Sequence, residues 1–424
     1  MDAPPALWPV DGPGAPRARR RAPVYLLLGV ALSLAACGGG SGGTSAPPGS
    51  GGPNPAGSTA GPGGSSAPQR PPPLAACPAD NAVFTRSPVA LEHVQFWMPL
   101  GNVNPPGHTF PTDHQYLFLR QPQEAVPLVA PSPIRILGVG RAVHWDGSVD
   151  YDLFFQPCAD LMARFGHVGG LTAQLLEAIG PFDRRCDTWS AVPGYATTRC
   201  ESRDLALDLP AGTVLGTAGK TFSFAFDWWL QDRRVPTIPF SNPARFGGVV
   251  DASGFGLGRT VAASDYFTGP EAAAVAAKIG NGAVNRTALP LGGALAPDAS
   301  GTAQGRWFSA ARLSDTSEAS HLALVPDAVQ PERLHRFSIG LSQPNVGALQ
   351  APFEWRTTGR VNRRFDTVVP DGQVYCYEFG GAPWTVLLQM PDAATLRLEV
   401  RPDLDQGCPA GLPPLGADAV TYVR

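Results

Sequence analysis

The eleven residues from Thr221 to Gln231, TFSFAFDWWLQ, have a period of two and not of three to four. An extended strand puts Phe222, Phe224, Phe226, Trp228 and Leu230 on one face and Ser223, Ala225, Asp227 and Trp229 on the other. Such a strand has to bury its aromatic face against partner strands, so the chain around it is built mainly from β-structure. The rest of the sequence agrees. Short β-branched or alternating runs occur at Val126 to Val139 (split by Pro131 and Pro133), Asp150 to Phe155 and Leu161 to Phe165. Others follow at Arg306 to Phe308, Leu322 to Val325, Phe337 to Leu341, Val374 to Tyr377, Thr385 to Leu388 and Leu396 to Val400. Two short helices interrupt them. Leu171 to Ile179 is closed by Gly180 and Pro181, and an alanine-rich run ends at Ile279 after Thr268 and Glu271 at capping-box spacing.

The second constraint is the loop Gly101 to Arg120, GNVNPPGHTFPTDHQYLFLR. His108, Asp113 and His114 fall within seven residues there, stiffened by Pro105, Pro106 and Pro111, before the strand-like YLFL. Imidazole nitrogen and carboxylate oxygen are first-choice zinc ligands, and a proline-rich loop loses less entropy when side chains converge on one ion. The competing reading is a turn in which Asp113 and His114 satisfy backbone groups.

Residues 1–37 read as an export signal. Arg17, Arg19, Arg20 and Arg21 form a basic region, and Val24 to Ala36 an apolar run too short to span a bilayer. Leu34-Ala35-Ala36-Cys37 then resembles the lipobox of bacterial lipoproteins, which implies lipidation of Cys37 and attachment to the cell envelope. If the cell is Gram-negative, Gly38 at the next position fits sorting to the outer membrane, on its periplasmic or surface side, an extension that rests on the resemblance to bacterial lipoproteins. Residues 38–73 are almost wholly Gly, Ser, Pro, Ala and Thr, a tether able to hold the folded part on the order of tens of ångströms off a membrane. The remaining length suits two domains or one enlarged domain, and the composition divides it into two β-rich units, 74–235 and 236–424. With a net charge of -3 and arginines scattered along the chain, nothing in the sequence points to a nucleic-acid partner.

Six cysteines follow Cys37, and an even number in an exported chain favours disulfides over thiolate zinc. Cys186 and Cys200 bracket a short loop, and Cys376 and Cys408 share the terminal region, which leaves Cys77 for Cys158.

The order of the pieces between residues 100 and 232 resembles the lysostaphin and LytM type zinc endopeptidases, which cut peptide cross-bridges of peptidoglycan. His108 to Asp113 stands for their H-x-x-x-D ligand loop and Pro127-Leu128-Val129-Ala130-Pro131 for the strand after it. Phe165-Gly166-His167-Val168 resembles the segment with a catalytic histidine, Gly212 to Gly219 the glycine turn, and Phe224 to Leu230 the last strand. The resemblance implies a β-sandwich or barrel-sandwich-hybrid-like peptidase core, a zinc ion held by His108, Asp113 or His114, and Asp227, and His167 as a catalytic group.

The departures are specific. Four residues separate His108 from Asp113 where the family has three, so His114 competes with Asp113 as ligand. Ala225 stands at the family's first histidine of the last strand, and Asp227 at the metal-binding second. Asp227 is a competent ligand, but Ala225 neither polarises a water nor steadies an oxyanion. Two readings follow: a lipid-anchored module that keeps the peptidase-like fold and binds cell-wall peptide or glycan without cutting it, or an active zinc endopeptidase. Apart from the resemblance, His167 reads as a core histidine or a cap for the next helix. Trp228, Trp229, Trp307, Trp355 and Trp384 read as core or as the lining of a ligand groove, and His93, His144, His321 and His335 have no partner at ligand spacing.

Overall fold

The structure, a computed structural model, describes residues 72–424 apart from 191–195, 222, 247, 316 and 345. Cys37 and nearly all of the tether lie outside the described residues. The first half runs β1 (Val94–Met98), β2 (Gln115–Leu119), β3 (Val126–Val129), β4 (Ile134–Val143), β5 (Val149–Gln156) and β6 (Leu161–Leu171). After helix α1 (Ala173–Ile179) come β7 (Arg184–Ser190), β8 (Ala196–Leu209), β9 (Val214–Ala218) and β10 (Ala225–Asp232). These ten strands form one antiparallel sheet in the order β1-β2-β10-β6-β5-β4-β8-β7, with β9 pairing both β6 and β3. The Gly212 to Gly219 segment is therefore largely strand. Gly216 is needed where β9 meets β6, since a Cβ there would stand 1.8 Å from the Gly170 carbonyl oxygen.

The second half holds α2 (Gly269–Ala276) and an eight-stranded sheet of β11 (Gly305–Ser309), β12 (Leu322–Pro326), β13 (Leu334–Ile339), β14 (Leu349–Glu354), β15 (Val374–Glu378), β16 (Thr385–Asp392), β17 (Thr395–Arg401) and β18 (Val420–Val423). The fold is mainly β, with two sheets and a few short helices.

The alternation holds within β10 and sets the first core, whereas Phe224, just ahead of the strand, is exposed and does not join the buried face. Phe226, Trp228 and Leu230 are buried, and Trp228 packs against Phe84, Trp97, Phe165 and Phe267 with ring centroids 4.8 to 5.9 Å apart. Ala263, Tyr266, Phe267, Val275 and Ile279 also belong to this core, so residues beyond 235 complete it. Helix α2 starts at Thr268, but the threonine side chain makes no capping bond. Its intended partner Glu271 instead accepts from the Ser87 backbone N–H at 2.7 Å, because a long-range backbone donor wins over the local box. The second core centres on Phe337, Phe353, Phe365 and Tyr377. The proline-rich loop joins the halves: Phe110 packs against Phe308 and His321, and Val103 against Ala323 and Val325.

Disulfides link Cys77 to Cys158, Cys186 to Cys200 and Cys376 to Cys408. The second ties the β7–β8 hairpin across its own ladder.

Candidate metal centre

The site forms on the sheet face opposite the first core. Asp227 pairs with Tyr116 of β2 on one side and with Gly166 of β6 on the other. His114 lies two residues before Tyr116 and therefore on the same face, and Trp229 lies two residues beyond Asp227. The loop before β2 is closed on itself: Asn104 and His108 exchange two backbone hydrogen bonds, and Thr112 N–H donates to the Asn102 carbonyl. That closure fixes where His108 and His114 leave the chain. Their ring centroids are 5.2 Å apart.

Three imidazoles each have Nδ1 against a carboxylate. His114 Nδ1 is 3.0 Å from Asp113 Oδ1, His167 Nδ1 is 2.7 Å from Asp150 Oδ2, and His108 Nδ1 is 3.4 Å from Glu318 Oε1. An ionised carboxylate only accepts, so Nδ1 is the protonated nitrogen facing the carboxylate in each ring, and in His114 the buried Nε2 has no hydrogen-bond partner. The Nε2 atoms of His114 and His167 lie 3.7 Å and 3.4 Å from one and the same oxygen, Oδ2 of Asp227. Two imidazole lone pairs against a carboxylate repel it, unless a proton or a metal ion lies between them.

The electrostatics show where a proton goes. Burial opposes charge on His167, but Asp227, Asp150 and Asp152 outweigh it and hold the imidazole up at about 9. His108 is raised because Glu318, Asp227 and Asp113 outweigh its burial. For His114 burial wins over Asp227 and Asp113, and its pKa is lowered. Asp150, despite burial, is held down at about 2 by His167 and by His144, whose Nε2 is 3.2 Å from its other oxygen. A proton on His167 thus serves one side of Asp227. His114 Nε2 and Asp227 Oδ1 remain buried with no hydrogen-bond partner.

Those orphaned atoms fit a cation. Buried polar atoms cost free energy unless satisfied, and a histidine whose Nδ1–H is held by an outer carboxylate is the usual form of a zinc ligand. Two donors about 2.0 to 2.2 Å from one tetrahedral ion sit about 3.3 to 3.6 Å apart, close to both contacts on Asp227. Among the described residues, no group of three or more His, Cys, Asp or Glu side chains already stands as a metal site. The side chains surround Asp227 without yet facing a single point.

Of the residues singled out by sequence, His108, His114, Asp227 and His167 gather here, while Asp113 takes an outer place. Its Oδ1 accepts from both His114 Nδ1 and Trp229 Nε1, the latter at 2.8 Å. His167 does not cap α1; Thr172 does. Sequence reasoning left His144 unassigned and passed over Asp150, Glu318 and Tyr116. Asp150 was within reach of the alternation argument, since it lies on the face opposite Tyr151, Leu153 and Phe155. Glu318 had no local signal, as it arrives from the second half and also accepts from the Phe110 N–H at 2.5 Å.

Access is narrow. The side chains of His114 and Asp227 are 3% and 4% exposed, against 13% for His167 and 17% for His108. Beside the site, the Arg164 guanidinium lies 4.1 Å over the Trp229 ring and bonds to Asp152. Ala225 is buried opposite Phe118 and brings nothing polar. Two open cavities of about 400 Å3 lie elsewhere, one against Gly170, Leu171 and Val214, the other against His335, Trp355 and Arg364. Trp228 and Trp307 are core residues and line no groove. No family model matches this chain, and the comparisons with curated proteins and with solved structures return no match.

Proposed function

We propose that this chain is an exported envelope protein, anchored through a lipid on Cys37, whose peptidase-like first sheet holds one zinc ion and binds cell-wall peptide or glycan without cutting it. The observation that carries the metal half is His114, whose buried Nε2 has no hydrogen-bond partner and lies 3.7 Å from Asp227 Oδ2 while Asp113 holds its Nδ1, with the His108 ring 5.2 Å away. His108, His114 and Asp227 would hold the ion, and Asp113 and Glu318 would orient the two rings. A bound zinc ion supplies Lewis acidity and, at an open position, a water of lowered pKa.

The binding reading rests on what surrounds the ion. Ala225 brings no imidazole to the last strand as a partner for His167, and the His114 and Asp227 side chains are almost closed to solvent. The alternative, an active zinc endopeptidase, is favoured by His167 standing 3.4 Å from Asp227 Oδ2, where a general base would belong. Zinc-loaded protein incubated with insoluble peptidoglycan separates the two. Co-sedimentation without release of new amino termini is the expected result, and cleavage that depends on zinc and on His167 would establish the enzyme instead.

A further inference from the structure

We propose that the cavity of the second half lined by His335, Trp355, Arg364, Asp366 and Glu332 is a sugar site, which takes an uncharged pyranose unit of a glycan strand. This rests on the glycan part of the reading above and is independent of the metal, since none of these residues belongs to the candidate centre.

The sheet explains how a polar wall arises beside an apolar core. Along β13, His335, Phe337 and Ile339 alternate onto the face of the second core, and His335 pairs with Pro326 of β12 and Phe353 of β14. A leucine or phenylalanine would serve the packing best at that position. The core ends there in an imidazole, 2% exposed, with the Phe365 and Phe353 rings 5.2 Å and 6.1 Å away. Burial pushes its pKa down to about 4, so the ring is neutral at neutral pH. Its Nδ1 accepts from the Phe365 backbone N–H at 3.5 Å, which leaves the hydrogen on Nε2, and that atom has no partner among the described residues. Trp355 comes two residues after Phe353, its ring 6.3 Å from the imidazole, and its Nε1 is buried with no hydrogen-bond partner. Two N–H groups beside one cavity, both short of an acceptor, cost free energy until an oxygen meets them.

The rest of the lining sets the charge of the ligand. Arg364 is held flat by a bidentate pair with Asp366, Nε donating to Oδ1 at 2.6 Å and Nη2 to Oδ2, and its guanidinium lies 4.9 Å from the Trp355 ring centroid. The pair is neutral as a unit. Glu332 is exposed on the cavity wall and makes no hydrogen bond or close ion pair among the described residues. A phosphate or carboxylate ligand would face that carboxylate and a neutral imidazole, which disfavours anions. An uncharged pyranose fits each part: its hydroxyl and amide groups donate and accept, matching the N–H groups and the carboxylate oxygens, and its C–H face can lie against the half-buried indole. The cavity volume, about 400 Å3, falls within the range of roughly 300 to 1,000 Å3 usual for small-ligand sites.

The test is isothermal titration of the full mature protein, with zinc and in EDTA alike, using the β-1,4-linked tetramer of N-acetylglucosamine. Wild type should bind it under both conditions. Trp355→Ala and Glu332→Ala should each weaken binding about tenfold or more, the latter by loss of hydrogen bonds to a charged acceptor. Trp355→Phe, which keeps a ring, should recover part of the loss, and thermal melts identify the folded variants. Glu332→Ala removes an exposed side chain that the fold does not use, so it decides the matter even where Trp355→Ala fails to fold. No binding by wild type, or unchanged affinity in Glu332→Ala, overturns the sugar site. Binding of the peptide acetyl-Ala-Lys-Ala-amide in place of the tetramer overturns it too, in favour of an amine site. A wild type that ignores the tetramer yet co-sediments with peptidoglycan leaves the reading above standing and this one overturned.

Discussion

Gly166→Ala reaches the candidate centre without touching a ligand. An added Cβ would sit 2.6 Å and 3.0 Å from two carbons of the Trp229 ring and 3.3 Å from Asp152 Oδ1. Trp229 has little freedom to yield, because its Nε1 donates to Asp113 at 2.8 Å and its ring lies 4.1 Å from the Arg164 guanidinium. If the ring stays, overpacking costs about 1 to 3 kcal/mol. If it moves, the bond to a charged acceptor is lost at about 1.5 to 3 kcal/mol, with the cation–π contact adding roughly 0.5 to 2 kcal/mol. The destabilisation read by urea denaturation in chelator is then about 1 to 3 kcal/mol by the first route and about 2 to 5 kcal/mol by the second. Gly380→Ala is the control: a Cβ there meets nothing within 4 Å, so its effect should stay within about 0.5 kcal/mol. In the same Gly166→Ala protein, zinc affinity should fall roughly 10- to 100-fold as Asp113 loses the donor that orients it. Equal stability of the two variants would refute the packing argument, and unchanged zinc affinity would remove Trp229 and Asp113 from the support of the site.

Other perturbations follow from the same contacts. Burial holds His335 down at about 4 from 6.5, so the unfolded chain takes up this proton at a higher pH than the folded one. The stability is present in full above pH 6.5 and falls by about 3 kcal/mol as pH drops through 4, with the slope between those values reduced in His335→Leu when denaturation is followed against pH. Glu318→Gln should lower the His108 pKa, read by NMR of the ring, and weaken zinc roughly tenfold; no change in either would free His108 from the second half. Replacing Cys186 and Cys200 together by serine should cost about 3 kcal/mol for a span of this length, and full wild-type stability of that double variant would show the bridge to be idle.

What the sequence revealed, and what it hid, divides by the range of the interaction. The period of two around Asp227 was enough to set a carboxylate against an aromatic core, and the proline-rich loop was enough to group His108 with His114. Cysteine number and sequence proximity were enough to suggest two of the three disulfides, and Cys77 with Cys158, 81 residues apart, came by elimination. Glu318 lies 210 residues from His108 along the chain, and no local pattern marks it. Asp150 was hidden for a different reason: its strand was read through its apolar face, and the polar face went unexamined. The choice between Asp113 and His114 depended on Trp229, whose indole N–H takes Asp113 into the outer ring of contacts. Thr268 and Glu271 show the opposite failure, a sound local signal overridden when Glu271 found the Ser87 backbone instead. His167 depended on a left-handed backbone conformation, which composition and spacing do not encode for a non-glycine residue.

The central claim is that the carboxylate of Asp227 and the histidines around it hold one metal ion. Elemental analysis by inductively coupled plasma mass spectrometry, on protein loaded with zinc and then freed of excess by gel filtration, tests it most directly. The account predicts about one zinc per chain in wild type and nearly none in a folded Asp227→Asn, His114→Gln double variant. Zinc at well under one-tenth per chain in wild type, or retained equally in the double variant, would contradict it.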